Sequence, residues 1–206
     1  MRLRFSLSIL SVFFVAFAVV PALALGQGDP AYDVIGPVPP PHSQDRIRME
    51  EFVNFTCPHC NNFRLMSKPV LEKYGKRLEV TLVPITFRGQ TDTPLRLYFI
   101  AEREGRGPEI AAIIFDATFR YGVNVYDPQI VSYLARSAGL ADAYEKEAQA
   151  DWVTAKVKEA RKRADEVGLE ATPTIVLNGA LRLVPKTRME TFVATLDRLI
   201  GDLLKN

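Results

Sequence analysis

Two cysteines, Cys57 and Cys60, stand where one kind of secondary structure gives way to another. Before them, Ile47 to Phe55 reads as a strand, with Ile47, Met49, Glu51, Val53 and Phe55 on one face and Phe52 on the other. Apolar residues on both faces point to a largely buried strand, in which Glu51 is out of character. After the cysteines, Phe63, Met66, Val70, Leu71 and Tyr74 recur at helical spacing from Pro58 onward. Pro69 is expected to kink that helix and Gly75 to end it. Only Thr56 separates strand from motif, so Cys57 falls at the start of a helix in an α/β fold.

The rest of the chain alternates in the same way. Tyr32 to Ile35 could form a short edge strand, and Leu78 to Ile85 a second full one. Helices are expected over Leu95–Arg103, Pro108–Tyr121, Pro128–Ser137 and Ala141–Val167, with Asp127-Pro128 and Gly139 as boundaries. In the last of these, Tyr144, Ala148, Trp152, Val157, Ala160, Ala164 and Val167 form one apolar stripe, which makes Trp152 a core residue rather than a binding platform. Thr174–Leu177 and Leu181–Val184 flank Asn178-Gly179, a strong hairpin signal. Phe192, Leu196, Leu199, Ile200 and Leu203 mark an amphipathic C-terminal helix.

The N-terminal segment carries Arg2 and Arg4, an apolar run from Phe5 to Val20, and Ala22-Leu23-Ala24 in the small-x-small pattern of a signal peptidase site. Cleavage after Ala24 is the favoured reading. Retention as a membrane anchor is the other, since Phe5 to Leu25 is uncharged and long enough to span. Both put the remainder outside the cytoplasm, in the periplasm or an equivalent compartment, tethered if the anchor stays. Residues 26 to 45 hold Pro30, Pro37, Pro39, Pro40 and Pro41 and read as an extended lead-in. As a free tether it would reach up to about 60 Å, at ~3.1 Å per residue. With Arg2 and Arg4 set aside, 24 basic side chains face 24 acidic ones, so the chain lacks the electrostatic footprint of a nucleic-acid binder. The run Arg161-Lys162-Arg163 reads as a solvated helix face.

An exported domain stapled by disulfides would carry more cysteines, farther apart. The present pair points to chemistry. Disulfide exchange needs a thiolate, and an ordinary cysteine, with a pKa near ~8.5, supplies few at neutral pH. A helix N-terminus offers Cys57 unpaired N–H groups and a favourable dipole. Pro58 suits the first helical turn, and His59 adds a cationic or hydrogen-bonding group. Cys60, one turn on, is in reach to resolve a mixed disulfide. Two other readings stay open. A structural Cys57–Cys60 disulfide would close a loop so small that it contributes only about 2 kcal/mol. A copper or zinc site could use both thiolates, but the only histidines are His42 and His59, too few for a four-ligand structural zinc site. His42 reads as a surface residue without function.

The segment Glu51-Phe52-Val53-Asn54-Phe55-Thr56-Cys57-Pro58-His59-Cys60 resembles the active-site strand and helix of DsbA-family disulfide oxidoreductases. Ala171-Thr172-Pro173-Thr174, followed by a strand, is similar to the cis-proline loop of thioredoxin-like proteins. The resemblance covers roughly residues 46 to 206. It implies a thioredoxin-like domain from 46–87 and 169–206, interrupted by a helical insertion at 88–168. The signal peptide or anchor (1–24) and the lead-in (25–45) precede it. Carried over, Cys57 is the nucleophile and Cys60 the buried resolving thiol. His59 stabilises the Cys57 thiolate, and Glu51 is a buried acid that moves protons to or from Cys60. Pro173 is cis, and the backbone near Thr172 pairs with substrate peptide. From the residues alone, only an extended Thr172 follows.

The resemblance implies no cofactor. Its partners are cysteine-containing exported polypeptides and a quinone-linked membrane protein of the DsbB type. Thr172 is a departure: a Thr before the cis-Pro is common in related isomerases, which leaves a reductase or isomerase reading open. Those isomerases carry an N-terminal dimerisation domain, for which the lead-in is too short. The expectation is a monomeric oxidase.

Overall fold

The computed structural model describes residues 32–205. The expected signal peptide or anchor lies outside them. A five-stranded mixed sheet runs in the order β1-β5-β4-β2-β3, with β1 at Asp33–Val34, β2 at Ile47–Val53, β3 at Leu78–Pro84, β4 at Thr174–Leu177 and β5 at Leu181–Leu183. β2 is central. It pairs in parallel with β3, Ile47 opposite Leu78 and Val53 opposite Pro84, and antiparallel with β4, Met49 opposite Leu177. Asn178 and Gly179 both hold positive φ (51° and 71°) in the turn of the β4–β5 hairpin. That is the backbone an Asn-Gly pair adopts at low cost.

Each face of the sheet is covered by helices, which explains why β2 is apolar on both sides. Helices α1 (Pro58–Met66), α2 (Lys68–Tyr74) and α8 (Met189–Leu203) close one face over Ile47, Met49, Ile175, Leu177 and Leu183. Phe63 of α1 meets Phe192 of α8 edge-on, ring centroids 5.6 Å apart. Helices α3 (Thr93–Arg103), α4 (Gly107–Phe119), α5 (Pro128–Ser137), α6 (Ala141–Glu147) and α7 (Asp151–Glu166) lie between β3 and β4 in the chain. Their core joins Phe52, Phe55 and Val83 to Leu97, Ile100, Ile110, Ile114 and Phe115. The architecture is the α/β, thioredoxin-like fold with a helical insertion that the motif implied.

Three expectations need correction. The helix expected over Ala141–Val167 is two helices. Ala150 is extended (φ −65°, ψ 149°), and the break is stabilised by residues from α3. The Arg96 guanidinium donates to the Ala148 carbonyl (2.6 Å) and to Thr154 Oγ1 (3.2 Å). Arg103 stacks over Trp152, whose indole N–H donates to Glu147 Oε2 (2.9 Å). The kink expected at Pro69 appears two residues earlier, at Ser67, between α1 and α2. The lead-in is no free tether. Asp33–Val34 pairs with β5, and Ile35 N donates to Ala180 O (2.8 Å). His42 N donates to Asp202 O (2.8 Å), Gln44 N to Leu203 O (3.0 Å), and His42 Nδ1 bonds Leu204 O (3.0 Å). The lead-in thereby satisfies carbonyls that the end of α8 would otherwise leave without partners. A reach of about 60 Å from 26–45 is unavailable, because residues 33 onward belong to the fold.

Candidate active site

β2 ends at Val53, and four residues, Asn54 to Cys57, carry the chain from there to α1. Cys57 N donates to Asn54 O (3.0 Å), closing a tight turn. Cys57 is the N-cap of α1, in extended backbone (φ −83°, ψ 116°), with Pro58 next to it. Its carbonyl accepts from the N–H of Cys60 (3.1 Å) and of Asn61 (3.2 Å). Cys57 is partly buried and Cys60 is 0 % exposed, and both are free thiols. Solvent, and anything arriving from it, reaches the first sulfur and not the second.

The Thr172–Pro173 peptide is cis, and its loop faces the thiol. Cys57 Sγ lies 3.1 Å from the Thr172 carbonyl oxygen. Thr174 Oγ1 donates to Ala171 O (2.7 Å), which holds the loop at the start of β4. The two expected clusters, Cys57-Pro58-His59-Cys60 and Thr172-Pro173, thus meet across 115 residues of sequence.

The surroundings separate the two thiols chemically. A hydrogen bond from the Cys60 thiol, joined by a side-chain hydrogen bond with Thr172 and the backbone N–H groups of Cys60 and His59, lowers the Cys57 pKa to about 5 against the opposing effect of partial burial. Burial, and its donation to Cys57, push the Cys60 thiol well above the usual cysteine range. His59 is exposed, and its contribution to the Cys57 thiolate here is its backbone N–H.

Glu51 is 7 % exposed, opposite Leu82 of β3 and Ile175 of β4. Burial raises its pKa from 4.5 to about 7. Its charge in turn helps raise the Tyr98 phenol, after burial and Glu102.

Asn54, Thr56, Gln90 and Tyr126 form a network beside the motif that the sequence reading did not pick out. Asn54 was a polar residue in an apolar run, which is a usable signal. Gln90 and Tyr126 reach it from 36 and 72 residues away, with nothing local to mark them. Among the described residues no group of three or more His, Cys, Asp or Glu is arranged to hold a metal ion. His42 is at the end of α8.

A partly exposed, low-pKa thiol backed by a buried high-pKa one, on the first turn of a helix that follows the central strand, defines a thiol–disulfide exchange site. The family model described as Thioredoxin matches residues 45–198. The thiol:disulfide interchange protein DsbA of Burkholderia cepacia is 23% identical over 177 residues, covering 80% of this chain and 82% of that protein. DsbA of Bordetella pertussis is 26% identical over 164 residues, covering 77% and 76%. Among solved structures, DsbA of Xylella fastidiosa is similar with a TM-score of 0.70 at 26% identity, over 82% of this chain and 93% of that one. DsbA of Pseudomonas aeruginosa shares the fold, with a TM-score of 0.70 at 22% identity over 82% and 90%. The chain belongs to the thioredoxin family, as a thiol:disulfide oxidoreductase of the DsbA type.

Proposed function

We propose that the chain is an oxidase that introduces disulfide bonds into exported polypeptides. The observation that carries this reading is the asymmetry of the pair: only Cys57 is accessible, and its sulfur sits 3.1 Å from the Thr172 carbonyl. In the oxidised protein a substrate thiolate attacks the Cys57 sulfur. The Cys57–Cys60 bond breaks and a mixed disulfide forms between Cys57 and substrate. Cys60 leaves, and its high pKa means that it takes a proton; Glu51, protonated up to about pH 7, is the buried acid suited to give one. A second substrate thiolate then attacks the substrate sulfur, and Cys57 departs. A thiol with a pKa of about 5 is a good leaving group. Two electrons have passed to the protein, and a quinone-linked membrane partner of the DsbB type would accept them. The backbone at Thr172, beside Cys57, would pair with substrate peptide.

Export rests on the Phe5–Val20 run and Ala22-Leu23-Ala24, which lie outside the described residues. Among the described residues no helix is long and apolar enough to cross a membrane. We take the protein to act as a monomer. The second reading, a reductase or isomerase kept reduced by a membrane donor, is favoured by Thr172 before the cis proline.

The test is single-turnover oxidation of a reduced peptide carrying two cysteines. The oxidised protein should convert it stoichiometrically, and Cys57→Ser should convert none. Wild-type protein that leaves the peptide reduced would refute the oxidase. In intact cells the pair should be mostly oxidised, whereas a mostly reduced pair would favour the second reading.

A further inference from the structure

Thr56, the residue immediately before the reactive thiol, is held twice by one atom. Its N–H (3.1 Å) and its hydroxyl (2.8 Å) both donate to Asn54 Oδ1. The same Asn54 supplies the carbonyl that accepts from Cys57 N. The backbone leading into Cys57 is therefore set by the main chain and the side chain of a single residue, which is 2 % exposed.

The Asn54 amide is itself fixed in orientation. Nδ2 donates to Gln90 Oε1 (2.7 Å) and to Ile85 O (3.1 Å), so Oδ1 must face the other way, toward Thr56. Gln90 is set by the Phe87 N–H, which donates to the same Oε1 (2.7 Å). The third donor to Asn54 Oδ1 comes from the insertion: the Tyr126 hydroxyl, at 3.1 Å. Tyr126 is fastened in its loop before α5 by Thr91 Oγ1, which donates to its carbonyl (2.8 Å). One buried amide thus joins the end of β2, the loop after β3 and the helical insertion.

We propose that Asn54 is the positioning residue of the Cys57 thiolate, and that Tyr126 makes that positioning depend on the seat of the helical insertion. The thiolate is stabilised by several directional hydrogen bonds, which weaken steeply as their angles open. A shift of the N-cap residue is therefore felt by all of them together. No other side chain replaces Asn54 here. Asp would present acceptors to two acceptors, Ile85 O and Gln90 Oε1, and would set a second negative charge near the thiolate. Burial raises the Tyr126 pKa, and the charges of Cys60 and Cys57 nearby add to the rise.

The proposal rests on Cys57 being the redox-active thiol, but not on the direction in which it works. The test uses the purified protein with Asn54→Asp, Tyr126→Phe, Thr56→Val and Thr56→Ser. Thermal unfolding identifies the variants that remain folded. The readouts are the thiolate titration of Cys57 and the equilibrium with glutathione. Tyr126→Phe and Thr56→Val should raise the Cys57 midpoint and weaken the disulfide as an oxidant by roughly threefold to tenfold, tenfold being about 30 mV. Asn54→Asp should do so more strongly, and Thr56→Ser, which keeps the hydroxyl donor, should match wild type. Folded variants that titrate and equilibrate like wild type would overturn the proposal, and so would a Thr56→Ser as impaired as Thr56→Val. Should Asn54→Asp not fold, Tyr126→Phe and the Thr56 pair decide, since each changes a single group that bonds Asn54 Oδ1. Wild-type protein that exchanges no disulfide would instead overturn the functional reading.

Discussion

Replacing Glu51 by Gln should make the protein more stable at high pH and less able to exchange disulfides. Among the described residues Glu51 is the one buried carboxyl group, and burial is what raises its pKa. Its pKa is about 7 in the folded protein against 4.5 ordinarily. Between those values the folded state keeps a proton that the unfolded state has lost. Stability therefore falls as pH rises from about 4.5 to about 7 and changes little beyond. At 1.36 kcal/mol per pKa unit, the full cost of ionising Glu51 is about 3 kcal/mol. Gln has nearly the same shape and never ionises, so the gap between variant and wild type should widen by about 3 kcal/mol between pH 4 and pH 8. Urea denaturation at several pH values measures it. Taking the difference at each pH cancels the titration of Cys57, which both proteins share. A second readout is the rate of peptide oxidation, which should fall under the proposal that Glu51 supplies the proton Cys60 takes on leaving. A gap that is the same at pH 4 and pH 8 would refute the reasoning about burial. A widened gap with an unchanged rate would remove Glu51 from the proton transfer.

Other outcomes follow from the same geometry. Iodoacetamide should alkylate Cys57 and spare Cys60 in the reduced folded protein, with a pH midpoint of about 5. Equal labelling of both, read by mass spectrometry, would contradict the asymmetry. His59→Ser keeps the backbone N–H and should leave the Cys57 midpoint nearly unmoved. A raised midpoint and a weaker oxidant would show that the imidazole contributes as well. Arg163 makes a two-pronged ion pair with Glu50 across α7 and β2, at 2.7 and 2.6 Å. Its side chain is 32% exposed and that of Glu50 23%, between the exposed and fully buried cases. Arg163→Ala should lose about 1–2 kcal/mol in urea denaturation without altering the Cys57 titration.

What could be read from the sequence was what local patterns record. The strand running into Cys57, the Asn178-Gly179 hairpin and the amphipathic pattern of the C-terminal helix α8 each follow from neighbouring residues alone. The break at 148–150 does not, because Ala-Gln-Ala carries no stop signal. Its stabilising donor, Arg96, comes from 52 residues away. The docking of the lead-in depends on the carbonyls at the end of α8, 162 residues from His42. At the site, the two thiols were legible from spacing, and the approach of Thr172 only through a resemblance. The cause of the low Cys57 pKa was legible only in part: the sequence pointed to the N–H groups of the helix N-terminus and to His59, whereas the largest contribution is the hydrogen bond from Cys60. Beyond Asn54 itself, the network was invisible because hydrogen-bond partners brought together by tertiary folding leave no periodic trace.

The reduction potential of the Cys57–Cys60 pair, measured by equilibration with glutathione buffers, tests the central claim most directly. Stabilising the Cys57 thiolate stabilises the reduced form and so makes the disulfide oxidising. The account predicts a value toward the DsbA range of about −120 mV, and a value near the thioredoxin range of about −270 mV would contradict it.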